Sequence, residues 1–174
     1  MITIQQLLEE YETALGYTNL LWLDLDADQV SWRPSDESSA IGWHLGHQAA
    51  VAHFMVRNLT AAEPPIDREL DALMDSATAE RNRGDLPTLD RLGNYRRTAA
   101  ERVRVRVRAI DEGNVGAPAQ LRHIAATMLT AIINHEYQHS KWISEVRSQR
   151  FGLLIPPAPA SPNLIELDGY TLIG

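Results

Sequence analysis

The chain has 174 residues, no cysteine and a net charge of −7. Without cysteine it can form no disulfide, thiolate metal ligand or internal thiol nucleophile, so any metal must be held by His, Asp or Glu. The chain is acidic, with a pI near 5.3. Binding to a phosphate backbone needs a concentrated basic surface, so we expect no nucleic-acid partner.

The length and the 44% content of hydrophobic residues are enough for a domain with its own core. The longest nearly apolar run, residues 124–133, is about half of the ~20 residues that a membrane span requires. The acidic, amphipathic N-terminus has neither the basic nor the apolar region of a secretory signal. We therefore expect no membrane association and a cytoplasmic location.

The first predicted element is a helix from Thr3 to about Asp24. Thr3 is a suitable N-cap, and Gln6 follows three residues later, which is the spacing of a capping box. Residues 26–37 are predicted to be a polar connection. Within it, residues 32–34 (Trp-Arg-Pro) should be extended or turned, because a residue before proline avoids the helical region.

A second helix is predicted to run to about Thr60, with Ser38 or Ser39 as its cap. Two consecutive prolines end it, at positions 64 and 65. Residues 67–84 are mixed and polar, which indicates a short helix with an exposed loop. The second helix carries three of the six histidines, namely His44, His47 and His53.

A third helix is predicted from Thr88, as its cap, to about Asp111. Residues 102–108 alternate arginine with valine, which is typical of a strand, but the apolar residues from 92 to 110 also fit a helical stripe. Because the flanks are strongly helical, we predict a helix. Its arginines are expected to form a solvated face paired with Glu101 and Asp111. The alternative is a basic wall that meets an acidic substrate.

The fourth predicted helix begins at Pro118, which suits a first helical turn, and runs to about Arg150, with Gly152 as its terminator. His135 and His139 fall on its apolar stripe, so both should face the core. Four long amphipathic helices predict an all-α fold, a helical bundle whose sites are built from inward side chains on facing helices. We assign residues 1–152 to this bundle.

Residues 153–174 form a tail of a different kind. A proline-rich stretch, residues 156–162, is typical of a stiff linker. Two short apolar segments then flank Asp168-Gly169, a dipeptide that strongly favours a β-hairpin at residues 164–173. An isolated hairpin is only marginally stable. We therefore expect it to pack on the bundle or on a second subunit, and the second arrangement would make the protein a homodimer.

His135 and His139 are the strongest functional signal. Residues four apart lie on the same face of a helix, so the two imidazoles can bind one divalent transition metal. The alternative is a pair of core-edge histidines that bond to carbonyl groups. A third ligand is expected from residues 41–47 (Ile-Gly-Trp-His-Leu-Gly-His), where His44 and His47 compete.

The other candidate residues are not expected to bind the metal. His53 is expected at the surface or at the core edge, and His123 lies too far along the helix. Glu136 and Gln138 are rotated off the face of the ligands, so we expect them at the surface or supporting the ligands. The two tryptophans nearest the histidines are expected in the core or in the wall of a pocket. They are Trp43 and Trp142.

Three motifs together resemble the DinB-like (DinB/YfiT) superfamily of metal-binding four-helix bundles: residues 32–34, 41–47 and 135–143. The resemblance covers roughly residues 3–150. Residues 43–47 are also similar to the amino-terminal domain of the sulfoxide synthases of ergothioneine biosynthesis, although Lys141 stands where those enzymes have Glu. In the wider family, one histidine of the second helix and the pair of the last long helix form a three-histidine site.

The resemblance implies that the metal ligands are His47, His135 and His139, with His44 lining the pocket or supporting them. Three neutral imidazoles leave a divalent metal an exchangeable position, and such a site suits zinc, nickel or iron. The implied function is a metal-dependent transferase that activates a low-molecular-weight thiol for attack on an electrophile. The alternatives are metal-assisted hydrolysis and a non-catalytic module that binds a metal or a small molecule.

Overall fold

The computed structural model describes residues 2–60, 63–115 and 119–174. These residues are mostly helical and include a small C-terminal hairpin, which confirms the predicted all-α class. No helix in the described residues is long and apolar enough to cross a membrane. The helices are α1 (Ile4–Trp22), α2 (Ala27–Ser31), α3 (Ile41–Thr60), α4 (Arg68–Leu73), a single 3-10 turn (Glu80–Asn82), α5 (Leu89–Asp111) and α6 (Ala119–Phe151), and the strands are β1 (Leu164–Leu167) and β2 (Tyr170–Ile173).

The chain divides into two compact units. The first comprises the N-terminal residues up to Asp24 together with Arg104–Gly174, and the second comprises Leu25–Val103. The first unit is built on α1, which packs along α6. In the second unit α2 packs on α3. The buried apolar side chains of the second unit include Val30, Ile41, Leu45, Leu70, Met74, Leu92 and Tyr95.

Helix α1 begins with the predicted capping box. The Thr3 hydroxyl accepts the backbone N–H of Gln6 at 3.1 Å, and the Gln6 side chain accepts the backbone N–H of Thr3 at 2.9 Å. Two of the N–H groups that a helix leaves without intrahelical partners are thereby satisfied. The buried apolar residues of α1 form one stripe along the helix, namely Ile4, Leu7, Leu8, Tyr11, Ala14, Leu21 and Trp22.

Two predictions for residues 26–41 are wrong. Residues 26–37 are not a connection throughout, because they contain α2, which Asp26 and Gln29 cap in the same reciprocal way as α1. The following Trp32 is extended, as predicted for the residues before Pro34. Neither serine immediately precedes α3, since the helix begins at Ile41 and the carbonyl of Ala40 accepts the N–H groups of its first turn.

Helix α5 confirms the helical interpretation of the arginine–valine alternation. Val103 and Val107 are buried on one face, whereas Val105 is 56% exposed. The Thr88 hydroxyl accepts the N–H of Arg91, so Thr88 caps the helix as predicted. Arg104 forms an ion pair with Glu12 of α1, and so at least one arginine of this face is engaged by a carboxylate.

The start of α6 was predicted at Pro118, which lies outside the described residues. Its predicted end is confirmed: Gly152 has φ of 64° and follows the last helical residue. The N–H of Gly152 bonds to the Ser148 carbonyl, and that of Leu153 bonds to the Arg147 carbonyl. A residue with positive φ allows these bonds to close the helix, and glycine adopts that conformation without strain.

The hairpin is confirmed at residues 164–173, with β1 and β2 antiparallel and Leu164 paired with Ile173. Both turn residues have positive φ, 51° at Asp168 and 77° at Gly169, as in a type I′ turn. The hairpin packs on α6, where the Ile173 N–H donates to the Asn134 side chain at 2.8 Å. This is the first of the two expected arrangements; a homodimer stays a prediction.

Hydrogen bonds attach the segment before the hairpin, residues 161–163, to α1. Glu10 is buried in the described structure, and its Oε1 accepts hydrogen bonds from the Ser161 hydroxyl and, at 2.9 Å, from the Asn163 amide. The tail is therefore attached to the first unit by polar contacts from the proline-rich stretch as well as by the packing of β2.

Arg147 makes a second tie within the first unit. Its guanidinium donates to the carbonyl groups of Leu21 and Leu154 and forms a forked pair with Asp24, at 2.6 and 2.8 Å. The hydrogen bonds from Arg147 lower the pKa of the Asp24 carboxyl, and those to Asp24 raise the pKa of Arg147. One buried side chain thus joins α6, the end of α1 and the start of the tail.

Candidate metal centre

The two histidines of α6 lie on one face, as their spacing predicts. The ring centroids of His135 and His139 are 4.4 Å apart, and the ring planes are inclined at 54°. His139 is 5% exposed and His135 is half-buried. The Trp142 indole and the His139 ring meet in an edge-to-face arrangement, with centroids 4.8 Å apart, so Trp142 forms part of the wall around the pair.

Polar contacts fix the rotation of α6 within the first unit. Glu136 is buried, with only 3% exposure, so of its two expected placements the one at the surface is wrong, and support of the ligands stays a prediction. Its Oε1 accepts the Thr18 hydroxyl at 2.7 Å. The Ser140 hydroxyl lies 2.7 Å from that of Thr18 and also bonds to the Glu136 carbonyl. A helix held by buried hydrogen bonds presents its neighbouring histidines in a fixed direction.

His47 is held by a carbonyl group. Its Nδ1 lies 2.7 Å from the carbonyl oxygen of Met74, the residue that ends α4. Because a carbonyl only accepts, Nδ1 carries the proton and Nε2 presents its lone pair. Burial lowers the pKa of His47, and the charge of Arg83 lowers it further. The neutral form, which binds metals, is therefore favoured at neutral pH.

Trp43 fixes the orientation of the His47 ring from the side. The two rings are stacked, with centroids 4.5 Å apart and planes inclined at only 13°. The indole N–H donates to the Leu73 carbonyl at 3.0 Å, next to the carbonyl that His47 uses. The Arg83 guanidinium lies 4.0 Å from the centre of the indole ring, within the range of a cation–π contact.

The two glycines of residues 41–47 allow close packing on α3. A Cβ at Gly42 would lie 2.6 Å from Leu86 Cδ1 and 2.8 Å from Val30 Cγ1. A Cβ at Gly46 would meet the side chain of Met74, with Cγ at 2.8 Å. Gly46 thus lets Met74, whose carbonyl holds His47, approach the helix. The motif combines one candidate ligand with the residues that position it.

We expect Gly46→Ala to weaken metal binding and to destabilise the second unit. The added methyl must displace the buried Met74, and overpacking of this kind costs about 1–3 kcal/mol. Displacement of the Met74 carbonyl would also disturb His47, and loss of such a supporting hydrogen bond lowers metal affinity ~10–100-fold. Thermal denaturation and competition with a chelator measure the two effects.

Gly16→Ala is the matched control for Gly46→Ala. Gly16 is also in the interior of a helix, but a Cβ at that position would have no atom within 4 Å. Alanine favours helix over glycine by about 1 kcal/mol, so the control should be neutral or stabilising. Equal behaviour of the two variants would contradict the role assigned to Gly46.

The remaining histidines are placed elsewhere. His53 is buried, which agrees with the core-edge prediction rather than with the surface one, and its Nε2 lies 2.8 Å from the Arg102 guanidinium. Burial and the nearby Arg102 lower the pKa of His53. His44 is half-buried and its ring contacts Trp43 in an edge-to-face arrangement, and His123 is exposed.

Among the described residues, the group that could hold a metal ion consists of His47, His135 and His139, each offering one ring nitrogen. His47 is oriented by residues of the second unit, and the α6 pair by residues of the first unit. All three are the histidines that the resemblance implied. The donor set is compatible with a divalent transition metal, because neutral imidazoles suit zinc, nickel and iron.

A cavity of about 450 Å³ adjoins His47 within the second unit. Its volume is in the range of small-molecule sites. Its charged residues belong to no sequence motif, so they could not be predicted from the sequence. The residues that line it are His47, Ala50, Val51, His53, Phe54, Arg57, Asp71, Ala72, Met74, Asp75 and Ser76.

The helical fold and the histidine group define a class of protein, a helical protein that could bind a metal through imidazoles. The sequence model of the DinB superfamily matches residues 10–143, which is most of the chain, and the chain belongs to this superfamily. A comparison with curated proteins found no match. The closer similarity to the ergothioneine sulfoxide synthases stays a prediction.

Proposed function

We propose that the chain is a metal-dependent enzyme that transfers a low-molecular-weight thiol to an electrophile. His47, His135 and His139 hold a divalent transition metal in this proposal. The observation that carries it is the arrangement of His47, whose Nδ1–H is committed to the Met74 carbonyl while Nε2 keeps its lone pair. A buried imidazole oriented in this way is typical of a metal ligand.

The donor set supports catalysis rather than a closed structural site. Structural zinc sites have four protein ligands, whereas catalytic sites have three and keep one position for water or substrate. When bound, the metal would lower the pKa of a coordinated thiol or water and would act as a Lewis acid. Zinc, nickel and iron all suit three imidazoles.

The absence of cysteine means that the thiol belongs to the substrate. In the transfer, the thiol proton leaves to solvent and the sulfur forms a new bond to the electrophilic carbon. The electron pair displaced from that carbon goes to a leaving group or to an adjacent electron-withdrawing group, which is then protonated. The cavity beside His47 offers room for the thiol.

The proposal is tested by incubating protein loaded with zinc, nickel or iron with a panel of small thiols and a chromogenic electrophile. We expect a rate of thiol consumption above background for at least one pair, and background for His139→Ala. His123→Ala is the matched control, because His123 is an exposed histidine of the same helix. It should retain the wild-type rate.

Equal rates for the wild type and His139→Ala would reject the transferase. Release of an acid from an ester substrate, without thiol, would favour metal-assisted hydrolysis. If neither reaction occurs while a small molecule raises the melting temperature, the protein would be a non-catalytic binding module.

A further inference from the structure

We infer that the cavity beside His47 binds its substrate as a zwitterion, with Asp71 receiving an ammonium group and Arg57 receiving a carboxylate. The ligand class is a small amino acid, and under the proposed function its side chain carries the thiol. The identity of the reacting group rests on that function, but the recognition of the two charges does not.

Asp71 offers an acceptor that no protein donor satisfies. Its Oδ1 accepts the hydroxyl of Tyr95 at 2.6 Å. Its Oδ2 is shielded from solvent and has no hydrogen-bond partner among the described residues. A carboxylate oxygen without a donor is costly to bury, and because Asp71 lines the cavity, a ligand that donates to this carboxylate would remove that cost. An ammonium group satisfies it and balances its charge.

The Tyr95 contact keeps Asp71 in the role of acceptor. Burial raises the pKa of Tyr95, and the hydrogen bond to Asp71 raises it further. Tyr95 therefore stays protonated over the accessible pH range and donates to the carboxylate. The hydrogen bond also holds the Asp71 side chain in one orientation.

Arg57 provides the opposite charge on the same cavity. Its guanidinium lies 5.6 Å from the centre of the Phe54 ring, and both residues line the cavity. No carboxylate within residues 2–60, 63–115 and 119–174 forms an ion pair with Arg57. Arginine recognises carboxylates through its planar fork of donors, so this group is suited to the acidic end of the ligand.

The charged residues that line the cavity disfavour a ligand that carries only one charge. A plain anion would meet the carboxylate of Asp71, and a plain cation would meet Arg57. The lining also includes apolar residues, namely Ala50, Val51, Phe54 and Ala72. A short apolar stem with both charges fits this pattern better than an ion of one sign.

The experiment compares three thiols that differ only in their charged groups. L-cysteine carries both, cysteamine lacks the carboxylate, and 3-mercaptopropionate lacks the ammonium. Binding to metal-loaded protein is measured by titration calorimetry. We expect L-cysteine to bind about tenfold more tightly than either of the others, because each missing charge forfeits one charge-assisted contact.

Two variants should produce opposite patterns. Asp71→Asn, which keeps an oxygen for Tyr95, should lower the affinity for L-cysteine and cysteamine about tenfold and leave the affinity for 3-mercaptopropionate unchanged. Arg57→Gln should lower the affinity for L-cysteine and 3-mercaptopropionate and leave the affinity for cysteamine unchanged. Asp75→Asn is the control, because Asp75 lines the same cavity but is exposed to solvent, and its Oδ1 accepts the N–H of Ala77 at 2.8 Å.

L-serine separates the failure of this inference from the failure of the proposed function. It has both charges and no thiol, and its binding to metal-free protein is followed by NMR chemical-shift titration. Binding of L-serine that Asp71→Asn and Arg57→Gln each weaken supports the inference even if no thiol transfer is found. Equal affinity for all three thiols, or an equal loss in Asp75→Asn, overturns it. If Asp71→Asn lowers the melting temperature so far that the protein is unfolded in the assay, the affinities of Arg57→Gln for the three thiols test the inference by themselves.

Discussion

Replacement of His139 by alanine is expected to lower the affinity for a divalent metal by more than ~100-fold. Loss of a mere supporting hydrogen bond costs ~10–100-fold in other metal sites, and loss of a ligand costs more. The measurement is elemental analysis of protein purified without chelator or polyhistidine tag, followed by titration with zinc and nickel. Wild-type protein should contain near-stoichiometric metal, and His139→Ala should contain little.

The same analysis separates the candidates for the third ligand. His47→Ala should lose metal like His139→Ala, because its Nε2 is the oriented donor. His44→Ala should keep most of it, since His44 is not part of the group that could hold a metal. His123→Ala should behave as wild type. Metal retained in His47→Ala but lost in His44→Ala would reverse the assignment.

The parts of the fold that the sequence predicted correctly depend on local signals. Thr3 and Gln6 form a capping box from their spacing alone, and Gly152 ends α6 because its φ is positive. Asp168-Gly169 makes the turn of the hairpin for the same reason. The histidine pair of α6 also belongs here, because helical spacing by itself places residues four apart on one face.

The errors around α2 and α3 arise from short elements and competing contacts. Five residues are too few to show a helical period, although Asp26 and Gln29 carried the capping-box spacing that could have revealed α2. The serines predicted to cap α3 make other hydrogen bonds. Ser38 bonds to the Ser35 hydroxyl at 2.9 Å, and Ser39 accepts from Arg83 at 3.2 Å.

The environment of the candidate site was largely beyond sequence reasoning, because it depends on tertiary contacts. Met74 orients His47 through its backbone carbonyl. Every residue type has this group, so the contact cannot be predicted from the identity of residue 74. Asp71 and Arg57 come from different helices and share a cavity only after folding. Glutamate is usually a surface residue, and the burial of Glu136 is explained by the hydrogen bond that it accepts from Thr18.

Arg147→Met is expected to destabilise the first unit by about 3 kcal/mol at neutral pH. Methionine keeps most of the apolar stem but removes the donors to the carbonyl groups of Leu21 and Leu154. The Leu21 carbonyl is buried, whereas Leu154 is exposed, and a buried acceptor left without its donor costs about 1–3 kcal/mol. Urea denaturation measures the change, and Arg150→Met, an exposed arginine of the same helix, should change the free energy of unfolding by less than ~1 kcal/mol.

The pH dependence of the Arg147→Met effect separates its two parts. The folded-state pKa of Asp24 is held below its ordinary value of 3.8, mainly by the hydrogen bonds from Arg147. A depressed pKa contributes stability above the unfolded value, and this contribution is lost as the pH falls through the folded value. The difference between wild type and Arg147→Met should therefore shrink below about pH 3.8 but not vanish, because the two carbonyl groups do not titrate. A difference that is constant with pH would show that the Asp24 pair adds nothing to stability.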